Sequence, residues 1–224
     1  MTAMGFWDVM VERFPYFMSV LLRGAVMTVT VAIGALAFAL IGGLIVALMR
    51  LSPWRAIRIP ARIFIEFIRG TPALAQLFVI YFGLPDIGIH LTPIAAAIIG
   101  LGVNGSAYLA EIYRAGIEAI HKGQIEAALS LGLTPARCMQ YIILPQALRI
   151  MLPPITSFAI VLLKDTALVS VVAAPEIMFY ARNLVTETFQ SMHVYLLAAL
   201  MYLCMTVPLS RVVARLETAK RAWQ

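Results

Sequence analysis

The chain has 224 residues, 62% of them hydrophobic and only 12% charged, with a mean hydropathy of +0.92. Soluble domains carry about 45–50% apolar and about 25% charged residues, so a water-soluble globule and a disordered chain are excluded. With two cysteines a disulfide scaffold is excluded too, leaving an all-α integral membrane protein. The +6 formal charge does not point to nucleic acid, because the basic residues fall between apolar runs and form no stripe.

A bilayer-crossing helix needs about 20 mostly apolar residues. Five stretches qualify: 22–48, 62–83, 92–114, 140–163 and 193–213. Ahead of the first, residues 1–19 carry Asp8 and Glu12 and no cationic cluster. The charge-free run 24–49 is 26 residues long, whereas a cleavable signal has an apolar core of roughly 7–15; an uncleaved first span is expected. Its Ala35-Leu36-Ala37 and Ala37-Phe38-Ala39 triplets suit close helix packing. In the second span Glu66 and Arg69 are spaced to pair on one helix face.

The basic residues orient these spans. Segment 50–62, loop 114–149 and the tail from Arg211 each hold four Lys or Arg, whereas loop 84–91 holds none and 164–192 holds Lys164 and Arg182. The N-terminus is therefore expected outside, with 1–19 extracytoplasmic and the tail 216–224 in the cytoplasm. Ser52-Pro53, Thr71-Pro72, Thr92-Pro93 and Thr134-Pro135 mark helix starts, a capping side chain followed by a residue with no N–H to lose. Thr71-Pro72 is expected to kink or restart the second span, and Pro145, Pro153 and Pro154 to interrupt the fourth. Broken spans are tolerated where they line a cavity or are buried in protein, which favours a transporter or channel. No internal repeat is visible, and five spans are few to enclose a path alone, so pairing with a second copy or a related chain is expected.

Between the third and fourth spans, about 118–138, the chain carries Glu126, Ala127 and Ala128, then Gly132, suited to a left-handed helix stop, and Thr134-Pro135 to start another helix. The alanines permit close approach and Glu126 offers a fixed charge: a cytoplasmic helix–turn–helix built to dock. This stretch, Glu126-Ala127-Ala128, three residues, Gly132, nine residues and Ile142-x-Leu144-Pro145, resembles the EAA loop of ABC importer permeases and matches each of its fixed positions. Phe67-Ile68-Arg69-Gly70-Thr71-Pro72, Tyr81-Phe82-Gly83-Leu84-Pro85, Ala107-Tyr108-Leu109-Ala110-Glu111-Ile112, Leu144-Pro145-Gln146-Ala147-Leu148-Arg149, Leu163-Lys164-Asp165-Thr166 and Pro208-Leu209-Ser210-Arg211 resemble the polar amino acid branch of that family. Ala167 departs from it, where serine is expected. The resemblance covers about 20–215.

The resemblance implies the type-1 ABC transmembrane fold: five transmembrane helices and a cytoplasmic coupling helix–turn–helix, in a bacterial inner membrane. It implies partners: ABC ATPase subunits, a second permease copy or paralogue, and an extracytoplasmic amino acid binding protein. Glu126, Ala127, Ala128, Gly132, Leu133, Pro135, Ile142, Leu144 and Pro145 would form the ATPase-coupling segment. No cofactor is expected in this chain, ATP and magnesium belonging to the ATPase: a phosphate-binding loop needs Gly-Lys-Ser/Thr, and Lys122, Lys164 and Lys220 do not follow glycine.

Polar groups inside a membrane are costly and usually face the bundle interior. Candidates for a substrate path are Arg69, Thr71, Asn104, Ser106, Tyr108 and Glu111, with Lys164, Asp165 and Thr166 at the outer end of the fourth span. Donors such as Asn104, Ser106 and Thr166 suit a carboxylate; Glu111 or Asp165 suits an ammonium. Against this, Glu111 is spaced to pair with Arg114, and Lys164 with Asp165 or across subunits. His90, His121 and His193 with Cys138 and Cys204 make no metal-ligand spacing, and no catalytic constellation is visible. A self-sufficient carrier or channel would not need the EAA loop, and an intramembrane enzyme would need reactive residues that are not found.

Overall fold

A computed structural model describes the backbone of residues 6–221 and the side chains of 6–215. Residues 1–5 of the N-terminal segment thus lie outside the described residues, as do the side chains of the 216–224 tail. No strand occurs among the described residues. The helices are α1 (Phe6–Leu51), α2 (Arg55–Gly70), α3 (Ala73–Phe78), α4 (Pro93–Glu118), α5 (Lys122–Ser130), α6 (Pro135–Cys138), α7 (Leu144–Asp165), α8 (Ile177–Thr188) and α9 (Ser191–Arg221). A π turn (Val79–Gly83) and a 3-10 turn (Leu84–Ile87) extend α3, a π turn (Met139–Ile143) joins α6 to α7, and a 3-10 turn (Thr166–Val172) follows α7.

Four stretches are long and apolar enough to cross a bilayer, Phe6–Leu51, Pro93–Glu118, Pro135–Val172 and Ser191–Arg215; Arg55–Gly70 and Ala73–Ile87 reach that length only as a pair, bent by 106° at the break between them. The expected second span, 62–83, is therefore two helices. Thr71 is extended (φ −118°, ψ 146°), and its hydroxyl donates back to the Phe67 carbonyl at 2.9 Å. Three of the four expected Ser/Thr-Pro starts hold: α3 begins directly after Thr71-Pro72, Thr92 Oγ1 accepts from the Ala95 amide and Thr134 Oγ1 from the Arg137 amide. Ser52-Pro53 does not cap α2, which begins after Trp54; the Ser52 hydroxyl accepts from the Trp54 amide in the preceding turn.

The fourth span also departs from expectation. α7 runs through Pro153 and Pro154 unbroken. The prolines remove amides that would reach the carbonyls of Arg149 and Ile150, while neighbouring turns are clamped, Ala147 and Met151 being buried and Met151 filling the space a side chain at Gly116 would need. Pro145 has no amide for the Tyr141 carbonyl, and the wider π turn lies just ahead of it.

The chain divides into two compact units through which the long helices pass: residues 1–35, 73–101 and 161–208, and residues 36–72, 102–160 and 209–224. In the first unit Phe17 and Leu21 of α1 pack with Ile177, Ala181 and Leu184 of α8 and Val194, Leu197 and Ala198 of α9. The start of α8 is locked onto α1. The Ile177 amide donates to Thr28 Oγ1 at 3.3 Å. Glu176, fully buried, accepts from the Phe179 amide at 2.7 Å and from Tyr202 Oη of α9 at 2.6 Å. Burial pushes the Glu176 carboxyl above the usual carboxylate range, opposed by these donors.

In the second unit α1 and α4 meet along small residues. A Cβ on Gly43 would lie 2.7 Å from Leu109 Cβ, and one on Gly105 2.8 Å from Ala39 Cβ. The expected close packing is thus carried here by Ala39, fully buried, with Gly42 and Gly43 next along the helix, while Ala37 is exposed. Ala47, Ala110 and Ile65 of α2 form a further buried cluster.

A Cβ at Gly24 would lie 2.6 Å from the Ile177 amide nitrogen, backbone that cannot yield, whereas nothing lies within 4 Å of one at Gly70. Gly24→Ala is expected to destabilise the purified chain by about 1–3 kcal/mol, read as a lower thermal midpoint, and Gly70→Ala to leave it unchanged or raise it.

Candidate functional site

The loop between α4 and α7 folds by local rules. His121 caps α5, its Nδ1 accepting from the Gly123 amide at 3.1 Å. At the other end Gly132 takes φ +80°, a conformation open to glycine at little cost. The Leu133 amide then reaches the Ala128 carbonyl at 3.1 Å and the Gly132 amide the Leu129 carbonyl at 3.0 Å, the paired bonds of a Schellman stop. Thr134-Pro135 opens α6 two residues later, so the turn is rigid at both ends.

One face of α5 anchors it. Ala128 is buried with Ile120, Cys138, Ile143, Ala147 and Met151, with Leu133 and Ile142 packed against them. Gln146 of α7 donates to Gln124 Oε1 at 2.6 Å and to the Ile142 carbonyl at 2.9 Å. The other face is bare: Glu126 and Ala127 are exposed, and Leu131 at its end is 84% exposed; Pro135 at the start of α6 and Leu144 and Pro145 at the start of α7 are exposed too. A helix fixed from behind that presents a carboxylate and a large apolar side chain to solvent is suited to enter a groove on another protein.

The intramembrane candidates do not behave as one set. In the second unit the Arg69 guanidinium lies 5.4 Å from the centre of the Tyr108 ring, and Tyr108 stacks on Phe158 of α7 with centroids 6.0 Å apart. This overturns the expected Glu66–Arg69 pair: Glu66 reaches back one turn to Arg62 at 2.6 Å, leaving Arg69 to the aromatic face. Asn104, Tyr108 and Glu111 share one side of α4. Glu111 is engaged by Arg114, with contacts of 2.7 and 3.0 Å to one carboxylate oxygen and 3.2 Å to the other, and Arg114 also binds Glu118. That is the i,i+3 pairing expected as the alternative to a substrate role.

Ser106 points elsewhere. It is buried on the opposite side of α4, donates to the Gly102 carbonyl at 2.8 Å, and takes the space beside Gly42 of α1; it belongs to the helix seam. In the first unit Thr166 is fully buried and donates to the Leu163 carbonyl at 2.7 Å. Lys164 is exposed and Asp165 half-buried. Sequence reasoning missed Phe158, the His121 cap and the buried Glu176–Tyr202–Thr28 group, because each depends on residues far apart in the chain or on a residue type that seldom caps helices.

Long apolar helices, one sharply bent helix pair and a rigid solvent-facing helix–turn–helix define a multi-span transport subunit. The chain belongs to the family described as the binding-protein-dependent transport system inner membrane component, whose pattern matches residues 39–222. It is 39% identical over 192 residues to a probable amino-acid ABC transporter permease, YckA, of Bacillus subtilis, covering 86% of this chain and 83% of that one. It is 38% identical over 200 residues to the glutamine transport system permease GlnP of Escherichia coli, covering 88% and 91%. A crystal structure of an amino acid ABC transporter with histidines superposes with a TM-score of 0.87 at 38% identity, covering 97% of this chain and 100% of that one. The inward-facing MetNI methionine transporter, 20% identical, shares the fold with a TM-score of 0.70, covering 89% and 97%.

Because His121 works as an acceptor, His121→Asn should preserve the cap and His121→Ala should lose it. Hydrogen exchange of the α5 first-turn amides is expected to quicken about fivefold in the alanine variant, for a cap worth about 1 kcal/mol, and to stay unchanged in the asparagine variant.

Proposed function

We propose that this chain is the membrane-spanning subunit of an ATP-driven importer for a polar amino acid or an opine-like derivative. The observation that carries this reading is α5, anchored through Ala128, closed at Gly132 and exposing Glu126 and Leu131. A groove on a separate ATPase receives this face. ATP-driven closure of two ATPases brings two such helices together, one from this chain and one from a second copy or paralogue, and tilts the attached spans to open the path outward. Glu126, Ala127 and Gly132 are the coupling residues, with exposed Pro135, Leu144 and Pro145 beside them, while Ala128, Leu133 and Ile142 hold α5 to α7. The nucleotide and its magnesium are held by the ATPase; this chain converts that closure into helix movement.

The N-terminus faces outward, where a binding protein delivers the amino acid, and the Arg-rich turns with α5 face the cytoplasm; the distribution of Lys and Arg supports this orientation. Along the path Arg69, steadied by Tyr108, suits a carboxylate, and Asn104 lies on the same side of α4 as Tyr108. Thr71, on the extended break before α3, and the Lys164–Asp165–Thr166 turn are the other polar stations. Glu111 is satisfied by Arg114 and acts as a brace.

Glu126→Lys and Gly132→Pro are each expected to abolish ATP-dependent uptake in reconstituted vesicles while leaving membrane insertion intact. Full uptake in both variants would refute the coupling role of α5. Affinity purification of the tagged chain should bring down an ATPase in about one-to-one ratio; recovery of the chain alone, still moving substrate without ATP, would refute the importer reading.

A further inference from the structure

Helix α2 has three distinct sides. Ala61, Ile65 and Ile68 are buried, Ile65 clustering with Ala47 of α1 and Ala110 of α4. Opposite them Ile59, Ile63 and Phe67, at i, i+4 and i+8, are all exposed. Between these two sides, within about 60° of arc at 100° per residue, lie Arg55, Arg58 and Arg62. The neighbouring carboxylate, Glu66, sits on Arg62, leaving Arg55 and Arg58 the surplus charge.

The path of α2 adds a second constraint. From Arg55 to Ile65 the helix advances about 15 Å, yet Ala47, which Ile65 covers, is only about 6 Å from the end of α1. α2 therefore crosses the end of α1 rather than running alongside it. Trp54, at the turn into α2, is 70% exposed, an amphipathic ring of the kind enriched at the headgroup level. A helix at the end of a span, with one side on protein, one apolar side bare and arginines between, has the form of an interfacial helix.

We propose that α2 lies in the membrane interface and that Arg55, Arg58 and Arg62 form a binding site for anionic phospholipid headgroups, with Ile59, Ile63 and Phe67 in the adjoining acyl chains. The occupant is a lipid rather than a free anion because the arginine arc directly borders the apolar stripe, so one ligand must satisfy both. A zwitterionic headgroup offers no net charge to the surplus arginines, whereas an anionic one does. This site goes beyond transport: it ties the permease to the lipid composition around it.

The full chain in mild detergent, offered equal amounts of phosphatidylglycerol and phosphatidylcholine and analysed by native mass spectrometry, tests this. The wild type should retain phosphatidylglycerol preferentially, and R55Q/R58Q/R62Q should reduce that preference about fivefold or more, at roughly fivefold per arginine. R55K/R58K/R62K should keep most of it, as should R211Q/R215Q, which removes two positive charges from the end of α9 and leaves the arc intact. Equal retention of the two lipids by the wild type, or an unchanged preference in the glutamine variant, would overturn the proposal. So would efficient disulfide cross-linking of Ile63→Cys to a second copy in native membranes, since the stripe would then face protein.

Discussion

A peptide group in hydrocarbon has no water to bond with, and leaving it unpaired costs several kcal/mol; three departures from regular helix among the described residues show how side chains and helix geometry meet that demand. Where α8 begins, its first amides are taken by Thr28 Oγ1 from α1 and by the Glu176 carboxylate. Where α2 stops, Thr71 turns its hydroxyl back onto the preceding turn. Where Pro145 withholds an amide, the helix widens into a π turn. The breaks lie where side chains can reach them.

Packing then follows from small residues, because lipid offers no hydrophobic gain from bringing two apolar helices together. Gly24 admits the α8 backbone, Gly43 admits Leu109, and Gly105 brings α4 onto Ala39 and Phe158. These contacts are backbone-close and specific, and polar side chains such as Ser106 and Tyr113, whose hydroxyl donates to the Leu40 carbonyl, complete them. The same seams leave α5 as a rigid extension of α7 and α4, the mechanical condition for transmitting force from a partner.

Features governed by near neighbours were legible in the sequence. Gly132, Thr92-Pro93, Thr134-Pro135 and the Glu111–Arg114 pair all act within a few residues, and each is found in the structure. The span count was legible from apolar length, but the integrity of 62–83 was not, because two helices with a break are as apolar as one. Arg69 is spaced equally well for Glu66 and for an aromatic ring on another helix, and only the fold brings Tyr108 to it. Ser106 differs from Asn104 by two positions, about 200° around the helix, and which side faces α1 depends on Gly42 and Gly43, distant in sequence. For the prolines of α7, local rules argued for an interruption and tertiary clamping overrode them.

The length of α1 has a consequence for where the first unit stands. At 1.5 Å per residue its 46 residues reach about 69 Å, against a hydrocarbon core of about 30 Å. Even at a steep tilt of about 40° the bilayer takes up only some 26 residues, which is the length of the charge-free run between Arg23 and Arg50. The N-terminal third of α1 is then a stalk in excess of what a single crossing takes up. Phe17 and Leu21 in that stalk are buried against α8 and α9, and Tyr16 donates to Glu187 at 2.9 Å, so α8 is carried up with it. The first unit thus carries α1 on, past the length a bilayer takes up, into a packed three-helix contact with α8 and α9.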